Sequence, residues 1–140
     1  MRVVVQRVNK AKVFEAEIGK GLFVLLGIKK GDGKKQADIL VEKLCKLRVM
    51  ADQNNKMNLT VEQVEGAFMV VSQFTLYGDT SGGNRPSFID AEEPEKAKEL
   101  YEYFVERLEA KGVVVKTGKF GEYMDIEASL DGPVTIILEA

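Results

Sequence analysis

An apolar run at residues 21–28 constrains the fold of this chain more than any other feature. Leu22 to Leu26 are all hydrophobic, and Gly27 and Ile28 extend the run. A short run that is apolar on both faces predicts a fully buried strand. It is also far below the roughly 20 residues that a bilayer-spanning helix needs. Other parts of the chain must therefore cover this strand on both sides.

Other stretches predict strands from their hydropathy pattern. Residues 3–8 and 12–16 come before the buried run, and residues 68–74 are again apolar on both faces. Near the end of the chain, apolar and polar residues alternate on either side of Asp131-Gly132-Pro133, as in strands with one buried face. The apolar positions there are Met124, Ile126, Ala128, Leu130, Val134, Ile136 and Leu138. We expect three strands in this last part.

Two helices are predicted between the blocks of strands. Residues 34–48 carry apolar side chains at helical spacing, with Asp32 as a candidate N-cap. The second helix has Pro94 in its first turn and Gly112 as the C′ residue that ends it. This order of elements predicts an α+β fold with a mixed or antiparallel sheet. The 140 residues suit one domain over residues 1–140.

The chain contains no histidine and one cysteine, Cys45. The absence of histidine removes the commonest general base, the Ser-His and Cys-His nucleophile pairs, and zinc sites of the Cys/His type. A single cysteine excludes an intramolecular disulfide, which fits a reducing compartment. The amino terminus shows no signal-peptide pattern. We therefore expect a cytoplasmic protein that uses neither a metal nor a cofactor.

The formal net charge is −2. General duplex-binding proteins carry a clear basic excess. Any contact of this chain with nucleic acid is therefore expected to be local, with few phosphates and modest electrostatic affinity.

Polar residues interrupt the end of the second buried strand, at Ser72, Gln73 and Thr75. Buried hydroxyl and amide groups are costly unless they are hydrogen-bonded. One interpretation is that these side chains satisfy a turn or a neighbouring loop. The other is the floor of a small polar pocket, where a substrate carbonyl meets backbone N–H groups.

Two further segments also have two interpretations. Gly132-Pro133 marks a turn, or a rigid element, in cis form, that points at a ligand. Residues 80–88 form a polar, glycine-rich stretch that is a plain surface loop, or a cover over a site. In the second case Arg85 lies near phosphate and Phe88 stacks on a base.

Taken together, these segments resemble the D-aminoacyl-tRNA deacylase family over essentially the whole chain. Ser72-Gln73-Phe74-Thr75 followed in order by Gly132-Pro133-Val134-Thr135 is the most specific part of the match. The segment after Val13 is shorter than in many relatives. The other matching segments are Gln6-Arg7-Val8, residues 21–27, Lys56-Met57-Asn58-Leu59, Arg85-Pro86-Ser87-Phe88, residues 101–107 and Thr117-Gly118-Lys119-Phe120.

The resemblance implies a barrel-like sheet and a homodimer with its sites at the subunit interface. It implies that Gly132-Pro133 of one subunit, in cis form, enters the site of the other and screens the chiral centre of the attached amino acid. A D-residue or glycine presents hydrogen where an L-residue presents its side chain, so a rigid wall rejects the L-isomer by clash. Arg7 is expected to brace this element, and Arg85, Ser87 and Phe88 to support or bind the tRNA end.

The implied reaction is hydrolysis of the ester bond in D-aminoacyl-tRNA, and in glycyl-tRNA. Ser72, Gln73, Phe74 and Thr75 are the expected catalytic segment. Backbone N–H groups of Phe74 and Thr75 are expected to hold the oxyanion, with the ribose 2′-OH of the tRNA helping to activate water. The alternative is Thr75 as nucleophile, although no base adjoins it in sequence.

Two competing functions remain open from the sequence. The first is a non-catalytic module that binds the tRNA 3′ end, which explains the missing acid and base residues equally well. The second is a hydrolase of free D-amino-acid esters. Turnover of charged tRNA by catalytic amounts of protein separates the deacylase from the first, and competition by uncharged tRNA separates it from the second.

Overall fold

A computed structural model describes residues 1–140 and contains eight strands and two α-helices. The first elements are β1 (Arg2–Val13), β2 (Ala16–Ile18), β3 (Gly21–Gly27) and helix α1 (Lys34–Lys46). They are followed by β4 (Met50–Ala51), β5 (Met57–Leu59), β6 (Ala67–Ser72) and helix α2 (Pro94–Glu109). The last strands are β7 (Val114–Thr117) and β8 (Ile126–Glu139). Two 3-10 helices, Glu62–Val64 and Phe74–Tyr77, flank β6.

β1 is the central strand of a mixed sheet. Strands β2, β3 and β8 pair with it in antiparallel fashion, while β6 and β7 continue the sheet beyond β3 as parallel neighbours. Strand β2 also contacts β6 and β7, so the sheet curls into a nearly closed barrel. The predicted α+β fold, with a mixed, barrel-like sheet and two helices, is confirmed.

The two faces of the sheet bury separate apolar clusters. The larger cluster lies between one face and the two helices and includes Leu22, Leu26, Phe68 and Phe104. The smaller one fills the curled end of the sheet and includes Phe23, together with Val8, Ala11, Val13, Ile18, Met69 and Val71. Strands β3 and β6 send alternate side chains into both clusters, which is why their sequences are apolar on both faces.

The prediction of separate strands at residues 3–8 and 12–16 is wrong, because one strand, β1, spans Arg2–Val13. It is a single strand because each part of it has a partner. β3 pairs with Arg2 to Val8, β2 pairs with Ala11 to Val13, and β8 runs along the other edge. These pairings hold the backbone extended where the local pattern predicted a break.

The prediction that Asp131-Gly132-Pro133 separates two strands is also wrong, because these residues lie within β8. The strand continues from Ile126 to Glu139 and forms a bulge at these residues. Gln6 pairs with Thr135 and Val8 with Leu130, so residues 131–134 all lie opposite Arg7. A bulge accommodates proline in a strand because the nitrogen of proline has no hydrogen to donate to the ladder.

Helix α1 begins at Lys34, as predicted, but its N-cap and its last residue differ from the prediction. The helix ends at Lys46, two residues before the predicted end. Its N-cap is Gly33, whose N–H donates to Oε1 of Gln36 at 3.0 Å. Asp32 is not the cap, because its carboxylate accepts the backbone N–H of Lys29 at 2.7 Å within the preceding turn.

Helix α2 agrees with the prediction at its start but not at its end. Pro94 is its first residue, where a missing N–H costs nothing. The C-cap is Ala110, and Gly112 stands two residues beyond the cap with a φ of +82°, so it is not the C′ residue.

Candidate active site

A cleft of about 730 Å³ opens where β3 and β6 end, beside the start of α2. Its floor contains Ser72, Gln73 and Phe74, three of the four residues predicted to be catalytic. Most of its wall is apolar and comes from the start of α2, from the segment around Phe88 and from the loop between β7 and β8. Three of the four residues that the sequence singled out as catalytic therefore lie together in one cleft.

The polar segment enters the cleft because the chain leaves the sheet there. Leu26 and Ser72 form the last pair between β3 and β6, and the N–H of Gln73 donates to the carbonyl of Leu26 at 2.8 Å. Residues Phe74–Tyr77 then form a 3-10 helix, not the strand end that was predicted for residues 68–74. This turn of the chain carries the segment from the buried sheet to the cleft.

Gly27 lets this 3-10 helix lie close to the end of β3. A Cβ at Gly27 would stand 3.0 Å from Cβ of Leu76 and 3.2 Å from the carbonyl oxygen of Gln73. Contacts this short are tighter than most Cβ contacts, so a side chain at this position requires its neighbours to move by a few tenths of an ångström. The glycine therefore allows the segment from Gln73 to Leu76 to lie close to the end of β3.

The start of the 3-10 helix presents backbone N–H groups. The first N–H groups of a helix have no partner within it. Phe74 and Thr75 occupy these positions, and Gln73 at the N-cap gives them no side-chain hydrogen bond. Its amide nitrogen Nε2 instead donates to Oγ1 of Thr75 at 2.6 Å. The segment therefore offers hydrogen-bond donors and no general base.

Thr75, unlike the other three predicted catalytic residues, does not line the cleft. Its side chain is exposed. Its nearest described side-chain partner is the amide of Gln73, which cannot accept a proton as a base does. The geometry does not equip this hydroxyl as a nucleophile.

Phe88 lies against the floor of the cleft, whereas its neighbours Arg85 and Ser87 do not line it. The rings of Phe74 and Phe88 meet edge to face, with centroids 5.0 Å apart. Asp79 and Ser87 close the base of the exposed loop with two backbone hydrogen bonds of 2.8 Å. The loop thus brings an aromatic ring to the cleft and leaves Arg85 in solvent.

Gly132 and Pro133 do not line the cleft of their own chain. They are exposed in the bulge of β8, and the peptide bond between them is cis, as the resemblance implied. Arg7 holds the base of this bulge: its Nε lies 2.9 Å from a carboxylate oxygen of Asp131, and its Nη1 donates to the carbonyl of Val49 at 2.7 Å. Arg7 thus anchors the bulge to the sheet, outside the cleft that contains Ser72 to Phe74.

A family model described as D-Tyr-tRNA(Tyr) deacylase matches residues 4–139. The chain belongs to this family. It is 51% identical over 145 residues to the D-aminoacyl-tRNA deacylase of Koribacter versatilis, covering 100% of this chain and 97% of the relative. The corresponding protein of Thermosipho melanesiensis is 49% identical over 146 residues, with coverage of 100% and 97%.

Two solved structures share the deacylase-family fold. The c-Myc DNA unwinding element binding protein superimposes with a TM-score of 0.93 at 40% identity, over 100% of this chain and 99% of that one. A probable eukaryotic D-amino acid tRNA deacylase superimposes with a TM-score of 0.85 over 99% and 98% of the two chains. Its identity of 16% shows likeness of fold alone.

In this deacylase-family chain, hydrogen bonds or burial shift the pKa values of three groups in or near the cleft. Glu92 lines the cleft, and a hydrogen bond from Lys96, then one from the backbone N–H of Glu93, lower the pKa of its carboxyl. Burial raises the pKa of Tyr77, the last residue of the 3-10 helix, to about 12. Burial likewise raises the pKa of Tyr101 to about 12, and its hydroxyl donates to the carbonyl of Val70 at 2.9 Å. Glu92 stays ionised and both tyrosines stay neutral near pH 7.

Sequence reasoning missed several residues of the cleft. Glu92, Phe120 and Tyr123 line it, but they come from segments with no polar interruption in an apolar run. In the alternating pattern Tyr123 lies opposite Met124 and Ile126, and in the structure it is 94% exposed. Only the tertiary arrangement shows that this exposed side chain borders the cleft.

Neither a metal cluster nor a membrane span is found among residues 1–140. No group of three or more histidine, cysteine, aspartate or glutamate side chains is placed to hold a metal ion. Neither helix has the length and apolarity needed to cross a bilayer.

Proposed function

We propose that this chain hydrolyses the ester bond of D-aminoacyl-tRNA, and of glycyl-tRNA, and releases tRNA and the free amino acid. Membership of the deacylase family supports an ester hydrolase. The observation that carries the proposal is the segment Ser72 to Thr75: its first three residues line the cleft, its N–H groups at the start of the 3-10 helix have no partner within that helix, and it contains no general base. Residues 1–140 act as one domain, in the cytoplasm, with no metal or cofactor.

A site without a strong nucleophile suits an aminoacyl ester, because this ester is already activated toward attack by water. Water attacks the carbonyl carbon of the aminoacyl ester, and the tetrahedral intermediate places its negative charge on the former carbonyl oxygen. The N–H groups of Phe74 and Thr75 stabilise this oxyanion, a contribution of about 3–4 kcal/mol per donor in known esterase-like sites. The ribose 2′-OH of the substrate activates the water, and the ribose oxygen leaves with a proton.

The terminal adenosine fits the apolar part of the cleft. Phe74 and Phe88 form an aromatic wall there, and aromatic side chains commonly hold unstacked bases. Arg85 and Ser87 lie outside the cleft, on the exposed loop, where they meet the sugar-phosphate backbone of the same RNA end.

Selectivity for the D-isomer is proposed to come from Gly132-Pro133 of a second subunit in a homodimer. The support is positional: these residues are exposed, and they stand away from the cleft of their own chain. A proline ring fixes its φ near −65°, so it presents a stiff wall. Arg7 keeps that wall in place through Asp131.

Replacing the ring tests the selectivity mechanism. Pro133→Ala is expected to hydrolyse L-aminoacyl-tRNA measurably while retaining its rate on the D-isomer, because the wall loses stiffness but the catalytic segment is unchanged. Rates on both isomers measure this, and sedimentation checks the dimer. A variant that stayed fully selective while losing rate would remove Gly132-Pro133 from the mechanism.

Turnover tests the reaction itself. With tRNA in large excess over protein, a deacylase releases many amino acids per protein molecule. A non-catalytic module that binds the tRNA 3′ end leaves the ester intact or shields it from spontaneous hydrolysis. Uncharged tRNA is expected to compete with the substrate, and an absence of competition would indicate a hydrolase of free D-amino-acid esters.

A further inference from the structure

Tyr123 is the most exposed large hydrophobic side chain of the protein and lies on the rim of the cleft. Its side chain is 94% exposed, although it lines the same cleft as Ser72 and Phe88. We propose that the Tyr123 ring is a stacking platform for the unpaired base that precedes the terminal adenosine of the RNA 3′ strand, an inference that rests on the proposed function.

The loop that carries Tyr123 is fixed on both sides of it. The ring of Phe120 packs against Tyr101, with centroids 5.7 Å apart, and Met124 packs against the smaller apolar cluster. Between them the N–H of Glu122 donates to the carbonyl of Lys119 at 3.3 Å. Because Phe120 and Met124 point inward, Tyr123 is presented outward on a braced loop, so a base that stacks on it orders little additional backbone.

The cleft presents two aromatic surfaces, which come from different parts of the chain. Phe74 and Phe88 contact each other at the floor, whereas Tyr123 comes from the loop between β7 and β8. Consecutive bases of a single strand commonly stack on separate aromatic side chains along a groove. With the terminal adenosine held at the floor, the preceding nucleotide, a cytidine in tRNA, is the one that reaches the rim.

The same loop carries a cation, Lys119, which does not itself line the cleft. The ammonium group of Lys119 lies 4.9 Å from the ring centroid of Phe14 and takes part in none of the ion pairs of the protein. Its positive charge is therefore available to an anion. The carboxylates of Glu122 and Asp125 adjoin Tyr123 in sequence and oppose phosphate binding directly beside the ring. We therefore propose that the base stacks on the Tyr123 ring while its phosphate lies toward Lys119, away from these two carboxylates.

Tryptophan fluorescence gives a direct test, because the chain contains no tryptophan. Tyr123→Trp keeps a stacking ring and introduces a single reporter. The trinucleotide CCA is expected to quench its emission, and adenosine monophosphate alone is not. Met57→Trp is the matched control, since Met57 is 58% exposed and does not line the cleft. Equal quenching of both variants by CCA, or no quenching of either, would overturn the proposal.

Kinetics separate the stacking role from a structural one. Tyr123→Ala is expected to raise KM for D-Tyr-tRNA about tenfold, within the range for loss of one stacked base, with kcat unchanged. Its KM for the adenosine ester of D-tyrosine, which lacks the preceding nucleotide, is expected to equal that of the unmodified chain. Tyr123→Phe, which keeps the ring, is expected to restore the KM for tRNA.

Three results would contradict the proposal: an unchanged KM for tRNA, equal losses on both substrates, or a change in oligomeric state on Tyr123→Ala. The last would mean that a second subunit covers this ring. If the unmodified chain hydrolyses neither substrate, the proposed function fails, and the quenching of Tyr123→Trp by CCA still decides whether the base stacks.

Discussion

Arg7 and Asp131 form an ion pair across β1 and β8, with Nε of the guanidinium 2.9 Å from a carboxylate oxygen. The same Nε donates to the carbonyl of Asp131 at 3.2 Å. The Arg7 side chain is only 11% exposed. The Arg7 side chain thus links β1 to Asp131, the residue that begins the bulge. Gly132 and Pro133 come directly after it in the sequence. The proposed selectivity element is held by this contact.

Removing the guanidinium is expected to weaken both the fold and the selectivity. Arg7→Ala leaves the carbonyl of Val49 and the carboxylate of Asp131 without their donor, at a cost of about 2 kcal/mol in the free energy of unfolding. Urea unfolding measures this. We also expect measurable hydrolysis of L-aminoacyl-tRNA, because the bulge loses its brace.

Lys10→Ala is the matched control on the same strand. Lys10 pairs with Glu17, and these side chains are 56% and 49% exposed. Its loss is expected to change stability by no more than about 0.5 kcal/mol and to leave selectivity intact. If Arg7→Ala were as stable and as selective as Lys10→Ala, the bracing role of Arg7 would be wrong.

Thr75→Ala is expected to retain substantial activity, within about tenfold of the unmodified chain, because the oxyanion donors are backbone N–H groups that alanine also carries. The structure supplies the reason: the Thr75 hydroxyl accepts a hydrogen bond from Gln73 and has no base beside it. Initial rates on D-Tyr-tRNA measure the effect. Complete loss of activity, with the fold and tRNA binding intact, would instead assign Thr75 the role of nucleophile.

Gly27→Ala is expected to displace the catalytic segment. The added Cβ would lie 3.0 Å from Cβ of Leu76, so the 3-10 helix must shift or the sheet must give. We expect kcat to fall about tenfold or more, since small misplacements of catalytic groups are costly. The measurement is kcat and KM well below the unfolding temperature.

Gly19→Ala provides the control for this substitution. A Cβ at Gly19 meets nothing within 4 Å. This variant is expected to match the unmodified chain in kcat and KM. Equal rates for Gly27→Ala and Gly19→Ala would show that the approach of the segment to β3 does not matter for catalysis.

Elements with a strong local pattern were predictable from the sequence. The two runs that are apolar on both faces correspond to β3 and β6, and the helical spacing of apolar residues correctly identified α1 and α2. The predictions failed where distant partners decide the structure. Neither the continuous β1 nor the bulge in β8 follows from local hydropathy, because each depends on which strands pair with it. A strand boundary is a property of the pairing as well as of the residues.

The candidate site was predictable to a similar extent. Polar residues at the end of an apolar strand drew attention to Ser72 and Gln73, for which a turn and a pocket floor both remained open, and both residues line the cleft. Arg85 and Ser87 share a motif with Phe88 but do not line it. Tyr123 was missed because an exposed ring in an alternating strand pattern carries no local sign of what lies beside it. The roles of all these residues stay predictions.

The most direct test of the account compares deacylation of D-Tyr-tRNA and L-Tyr-tRNA side by side, with catalytic amounts of protein. The account predicts rapid release of D-tyrosine over many turnovers, while the L-ester is lost no faster than without protein. Equal release from both esters would leave a hydrolase but contradict selectivity by Gly132-Pro133. Release from neither would contradict the deacylase function and favour a module that only binds the tRNA end.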